Sequence, residues 1–147
     1  MPNDHPAVNP VLAVATRSGQ VESWHRGAVA VCHDGEPVLR LGAVDAPVFV
    51  RSAIKPLQAL PFLERGLGER LALPAGALAV MCASHDGTPA HTAAVRSLLA
   101  RGGFDPAQLG CGPHAPFDPA SRRELLQRGE QPERLHNNCS GKHSGFL

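Results

Sequence analysis

The chain has 147 residues, of which 43% are hydrophobic and 18% charged, and its formal net charge at pH 7 is +1. This composition is that of a globular protein, and the length argues for one ordinary core rather than two full domains. The small net charge and the absence of long basic runs exclude an electrostatic footprint for nucleic acid. No segment approaches the ~18 apolar residues of a membrane span, and the N-terminus lacks the pattern of a signal peptide. We therefore expect a cytoplasmic protein with reduced cysteines.

The first third of the chain is strand-like. Residues 1–10 are expected to form a flexible N-terminus, and residues 11–147 are interpreted as part of one domain. Short alternating segments, separated by turn residues at Ser18-Gly19 and at residues 33–37, predict an antiparallel meander. The predicted strands cover residues 11–15, 21–24, 28–32, 38–41 and 48–50.

The pattern then changes to a helical period. Ser52 is predicted to cap a helix whose apolar face carries residues 54, 57, 60 and 63. The apolar run 77–83 is predicted as a buried strand. Capping residues, first-position prolines and terminal glycines predict helices from Thr88 to Gly102 and from Asp118 to Gly129. Residues 140–147 resemble the first turns of an unfinished helix, which suggests a piece of a longer protein.

Lysine is rare in this chain, which contains Lys55 and Lys142 against twelve arginines. An arginine keeps its proton at usable pH, whereas a lysine amine can become neutral and act as a base or a metal ligand. Each lysine lies in a polar, motif-like segment, so both are candidates for chemistry. The alternative is that they are two surface lysines in a chain biased toward arginine.

Ser52 and Lys55 are three residues apart, which places them on the same face of a helix. In the first turn the helix dipole disfavours an ammonium group, and a neutral Lys55 could then take the proton of Ser52. The alternative is a capping serine before a solvated lysine. A meander followed by a helix that opens with this motif is the layout of penicillin-binding proteins, β-lactamases and serine glutaminases.

A second polar cluster begins at Ser84, where residues 84–88 read SHDGT. Polar residues between a buried segment and a helix often belong to active sites, although an ordinary capped turn would have the same composition. A third cluster contains Cys139, Lys142 and His143, whose thiolate and imidazole suit a zinc ion. A neutral Lys142 could join them. A rival zinc-knuckle interpretation uses two pairs of the form Cys-x-x-His: Cys82 with His85, and Cys111 with His114.

Taken in order, three motifs resemble the type II L-asparaginase family of the inducible rhizobial type. They are RSAIKPLQ at residues 51–58, CASHDGT at 82–88 and HNNCSGKH at 136–143. The resemblance implies an α+β fold, with an antiparallel sheet flanked by helices, similar to that of the serine β-lactamases and glutaminases. It also implies hydrolysis of L-asparagine to aspartate and ammonia by a homodimer.

The resemblance further implies roles for individual residues. Ser52 would be the nucleophile and Lys55 its base, while Ser84 would belong to a second Ser–Lys pair. Zinc would be held by Cys139 and Lys142, and Arg51 and His143 would help to hold the substrate. The lysine partner of Ser84 and a further cysteine ligand would lie beyond residue 147, so this chain would be the N-terminal part of such an enzyme. The alternatives are an inactive fragment and a small zinc-binding module.

Overall fold

A computed structural model describes residues 9–147, so most of the predicted flexible N-terminus lies outside the described residues. The chain divides into two compact units, Met1–Phe49 and Val50–Leu147. Antiparallel strands lie in the first unit and α-helices in the second, which confirms the α+β class.

The first unit consists of two β-hairpins. Strand β1 (Val11–Arg17) pairs with β2 (Gln20–Arg26), and β3 (Val29–His33) pairs with β4 (Glu36–Leu41), each antiparallel. Both residues of each tight turn, 18–19 and 34–35, have positive φ, as a type I′ hairpin turn requires. The predicted turns are therefore confirmed.

The predicted single meander is wrong, because the four strands form two separate two-stranded sheets. The Gly27 amide donates to the Pro10 carbonyl, so the residue after β2 continues the pairing with the β1 side instead of turning to pair with β3. Residues 48–50 form no strand. Apolar side chains on the hairpins remain open to solvent; Trp24, for example, is 64% exposed.

Six α-helices lie within the described residues, together with three single 3₁₀ turns at Arg51–Ile54, Pro106–Gln108 and Arg134–His136. The two predicted helices after residue 88 are confirmed, with Thr88 and Asp118 as their capping residues. The six helices, in chain order, are α1 (Lys55–Glu64), α2 (Leu67–Arg70), α3 (Ala77–Cys82), α4 (Pro89–Gly102), α5 (Pro119–Gln127) and α6 (Ser140–Phe146).

The apolar run predicted as a strand at 77–83 is helix α3. Its buried residues are Ala77, Val80 and Met81, which have the i, i+3, i+4 spacing of a helix face. The run also contains good helix formers and follows Gly76, whose left-handed backbone begins the turn. Such a short apolar run has no clear period, and only the neighbouring helices show which face is buried.

Ser52 does not cap α1, since it lies inside the preceding 3₁₀ turn and α1 begins at Lys55. The apolar face that the sequence suggested is also largely exposed, at Leu57, Leu60 and Leu63. The buried residues of α1 are instead Lys55 and Ala59. A small side chain at residue 59 lets α1 approach α3 closely, because little volume separates the two backbones.

The core of the second unit is organised around α3. Val80 belongs to a cluster with residues of α4 and of the loops after it, and Met81 belongs to a cluster with Ala59 and Leu98. Helix α6 packs against the same helix through two glycines. A Cβ at Gly141 would lie 2.1 Å from the Val80 carbonyl oxygen, and one at Gly145 would lie 2.7 Å from the Met81 Cε.

Gly141→Ala should therefore destabilise the fold. The added methyl group would meet backbone atoms that cannot rotate away, and overpacking of this kind costs about 1–3 kcal/mol and occasionally more. The control is Gly112→Ala, because no atom lies within 4 Å of a Cβ there and its φ is not positive. Urea denaturation of the two variants and the wild type measures the difference. Equal stability of the two variants would contradict the close α3–α6 contact.

Candidate functional site

Lys55 and Ser84 meet through their side chains. The Lys55 Nζ donates a hydrogen bond of 2.6 Å to the Ser84 Oγ. Lys55 is the first residue of α1 and is 1% exposed, whereas Ser84 lies two residues after α3 and is exposed. The arrangement presents a hydroxyl to solvent while its amine partner is held inside the protein.

The predicted partner of Lys55 was Ser52, and the structure arranges these two residues differently. The Lys55 amide donates to the Ser52 carbonyl at the end of the 3₁₀ turn. Among residues 9–147, no side-chain hydrogen bond joins Ser52 to the lysine amine. Arg51, the predicted substrate-binding residue, is exposed and has a φ of 46°, a left-handed backbone that is strained for a residue with a side chain.

His85 forms a buried polar network beside Ser84. Its Nδ1 accepts from the Gly87 amide at 3.1 Å, so its Nε2 carries the hydrogen and donates to the Ser140 Oγ at 2.9 Å. The Ser140 hydroxyl donates in turn to the Leu135 carbonyl at 2.9 Å. The ring also stacks on His91, with centroids 5.1 Å apart.

The electrostatics favour a neutral His85. The pKa of His85 falls from 6.5 to about 4, mainly because the ring is buried; the charges of His91 and Lys55 act in the same direction, and Asp86 opposes them. Burial also lowers the pKa of His143, with the charges of Lys142 and Lys55 acting in the same direction. Both imidazoles are therefore neutral at pH 7.

Helix α6 begins directly after the predicted zinc ligand Cys139 and carries the other one, Lys142, in its first turn. His143, the second predicted substrate-binding residue, is half-buried; its ring packs on Gly110 and meets Phe146 edge to face. The Lys142 Nζ lies 5.7 Å from the centre of the Phe146 ring. The amine thus turns toward the end of α6, whereas Cys139 lies before its beginning.

These residues do not complete a zinc site. Within residues 9–147, no group of three or more His, Cys, Asp and Glu side chains could hold a metal ion, and a closed zinc site needs four donors. The zinc-knuckle pairs do not converge either. Both nitrogens of His85 are engaged, and burial raises the pKa of the Cys111 thiol, which donates to the Arg134 carbonyl at 3.8 Å. Zinc binding stays a prediction.

The hydrogen bond between His85 and Ser140 is not predictable from the sequence. Both residues stand inside the motifs quoted above, but they are 55 positions apart, and a single sequence contains no signal of their contact.

The chain was compared with known protein families and with curated proteins. The model of the family described as L-asparaginase II matches residues 13–147 of the chain. No match was found among curated proteins. None of the helices in the described part of the chain is long and apolar enough to cross a membrane.

The pKa of His85 predicts a dependence of stability on pH. The ring has a pKa of about 4 in the folded protein, against the ordinary value of 6.5 for an exposed histidine in the unfolded chain, so the unfolded chain binds more protons between these pH values. The contribution of His85 to the free energy of unfolding is therefore complete above pH 6.5 and is lost as the pH falls toward 4. This group alone should remove about 3 kcal/mol.

The measurement is urea denaturation at several pH values between 4 and 7. His85→Gln cannot take up a proton, so its free energy of unfolding should change less over this range than that of the wild type. His33→Gln, on an exposed residue of the hairpins, serves as the control. Parallel curves for the wild type and His85→Gln would refute the assignment.

A separate prediction concerns zinc. If Cys139 and Lys142 are ligands, Cys139→Ser should bind far less zinc, because a serine hydroxyl is a poor ligand at neutral pH. Cys32 is exposed on the hairpins, so Cys32→Ser should leave the zinc content unchanged. Metal analysis of the purified variants checks this, and equal zinc in the wild type and Cys139→Ser would rule the ligand out.

Proposed function

Because the chain belongs to the L-asparaginase II family, we propose that it hydrolyses the side-chain amide of L-asparagine to give aspartate and ammonia. The observation that carries the mechanism is the 2.6 Å hydrogen bond between the Lys55 Nζ and the Ser84 Oγ. A hydroxyl within hydrogen-bonding reach of an amine is the arrangement that a Ser–Lys nucleophile needs.

In the proposed reaction, the neutral Lys55 amine takes the proton of the Ser84 hydroxyl as the Oγ attacks the amide carbon of the substrate. A C–O bond forms, the Lys55 ammonium gives the proton to the amide nitrogen, and the C–N bond breaks so that this nitrogen leaves as ammonia. Water then hydrolyses the aspartyl ester on Ser84, with Lys55 again acting as base. The exposed position of Ser84 gives the substrate access.

Other predicted residues take supporting roles in this proposal. Arg51 offers a guanidinium that can bind a carboxylate with two hydrogen bonds, which suits the α-carboxylate of asparagine. His143 is neutral at pH 7, so one of its ring nitrogens can donate a hydrogen bond and the other can accept one. Zinc on Cys139 and Lys142, a homodimeric assembly and a cytoplasmic location are part of the same proposal, and no step of the reaction passes through the metal.

Ser52 remains the second candidate nucleophile, from the sequence motif with Lys55. Ser52→Ala and Ser84→Ala separate the two assignments. The variant that removes the true nucleophile should lose both turnover and the covalent aspartyl adduct. Mass spectrometry of rapidly quenched protein detects this adduct. An adduct on Ser52 in the Ser84→Ala variant would overturn the Ser84 assignment.

Lys55→Arg tests the role of the amine as a base. Arginine keeps the positive charge but cannot give up its proton, so Lys55→Arg should be nearly as inactive as Lys55→Ala. General-base catalysis contributes about 10²- to 10⁴-fold, and the loss of ammonia release should lie in that range. Arg65→Lys, on an exposed residue at the end of α1, is the matched control. Substantial activity in Lys55→Arg would show that the amine transfers no proton.

A further inference from the structure

His85 is a buried group that the proposed reaction does not use. It is 5% exposed, and both ring nitrogens are engaged, one by the Gly87 amide and the other by the Ser140 hydroxyl. It cannot accept a proton from Ser84 without giving up one of these hydrogen bonds. We therefore look for its function in the parts of the fold that its hydrogen bonds join.

The connections of His85 reach three parts of the fold. Its backbone amide donates to the Asn138 carbonyl at 3.2 Å, which joins it to the loop before α6. Its Nε2 donates to the first residue of α6, and its ring stacks on His91 in the first turn of α4. The turn between α3 and α4 is therefore in contact with the start of α6 and with the first turn of α4.

Ser84 has little else to fix its position. Helix α3 ends at Cys82, Ala83 is extended, and Ser84 itself is exposed and outside any helix or strand. Within the described residues, the single hydrogen bond of its side chain is the one from Lys55. His85, the next residue, makes hydrogen bonds through its backbone amide and through both ring nitrogens.

We propose that His85 is a positioning residue, which in its neutral form with the hydrogen on Nε2 joins the Ser84 turn to the start of α6 and so keeps the Ser84 Oγ within reach of the Lys55 amine. The expected effect on turnover rests on the proposed function. The expected effect on the position of the Ser84 Oγ does not. A displacement of about 1 Å at a reacting group can cost about 100-fold in rate.

Three variants separate this role from simple packing. His85→Ala removes both hydrogen bonds of the ring. His85→Gln keeps an N–H that can donate to Ser140, and it should rescue much of the loss. Ser140→Ala removes the other partner without changing the backbone. Because the two residues act through one contact, the double variant of His85→Ala and Ser140→Ala should be hardly worse than the worse single variant.

Two readouts are needed. The first is the separation between the Lys55 Nζ and the Ser84 Oγ in crystal structures of the wild type and the variants. The second is the kinetics of ammonia release from L-asparagine. We expect His85→Ala to lengthen the separation beyond about 3.2 Å and to lower kcat about 100-fold with KM nearly unchanged. His85→Gln should keep the short separation, and His33→Gln should match the wild type.

The two readouts also distinguish the possible failures. If the wild-type protein releases no ammonia from asparagine, the proposed function fails, and the measured separation still decides the positioning role. If His85→Ala folds and keeps the short Lys55–Ser84 hydrogen bond, the positioning role is overturned. Should His85→Ala not fold, the decision passes to Ser140→Ala and His85→Gln. A Ser140→Ala variant with unchanged separation and unchanged kcat would likewise overturn it.

Discussion

The contact between α3 and α6 is the constraint on which the second unit depends. The backbone of α6 at Gly141 lies directly on the carbonyl of Val80, with no room for a side chain between them. Val80 and Met81 belong to two different hydrophobic clusters, so α3 packs against both of them. Because Ser84 follows the end of α3 and Ser140 begins α6, the distance between the two helices also sets the distance between the polar groups that they carry.

The interior of this unit contains several polar side chains. Lys55, His85, Ser140 and Ser144 are all buried, and each makes a hydrogen bond: the Ser144 hydroxyl, for instance, donates to the Ser140 carbonyl. Burying such groups costs free energy unless they are paired, and an unpaired partner costs about 1–3 kcal/mol. A network of this kind favours one arrangement of the chain over its alternatives, because any shift leaves a buried group unsatisfied.

The two imidazoles on which the charge of Lys55 acts, those of His85 and His143, are both neutral at pH 7. Burial is the main reason that the pKa of each ring is lowered, and the lysine charge acts in the same direction. Neutral imidazoles can hold hydrogen bonds in a fixed direction without adding a second proton donor of similar acidity.

The sequence by itself determined the hairpins and their turns, the helices α4 and α5, and the three motifs in which every site residue lies. Turn glycines, capping residues and prolines act on their immediate neighbours, so one sequence contains the whole signal. Only the tertiary structure decided that residues 77–82 are helical, that the strands form two sheets, that Lys55 pairs with Ser84, and that His85 meets Ser140. A short apolar run has no definite period, and a lysine side chain can reach several hydroxyls. Contacts between residues 29 and 55 positions apart exist only because α1, α3 and α6 pack against one another, and this packing depends on backbone approach at Gly141 and Gly145 that no local pattern encodes.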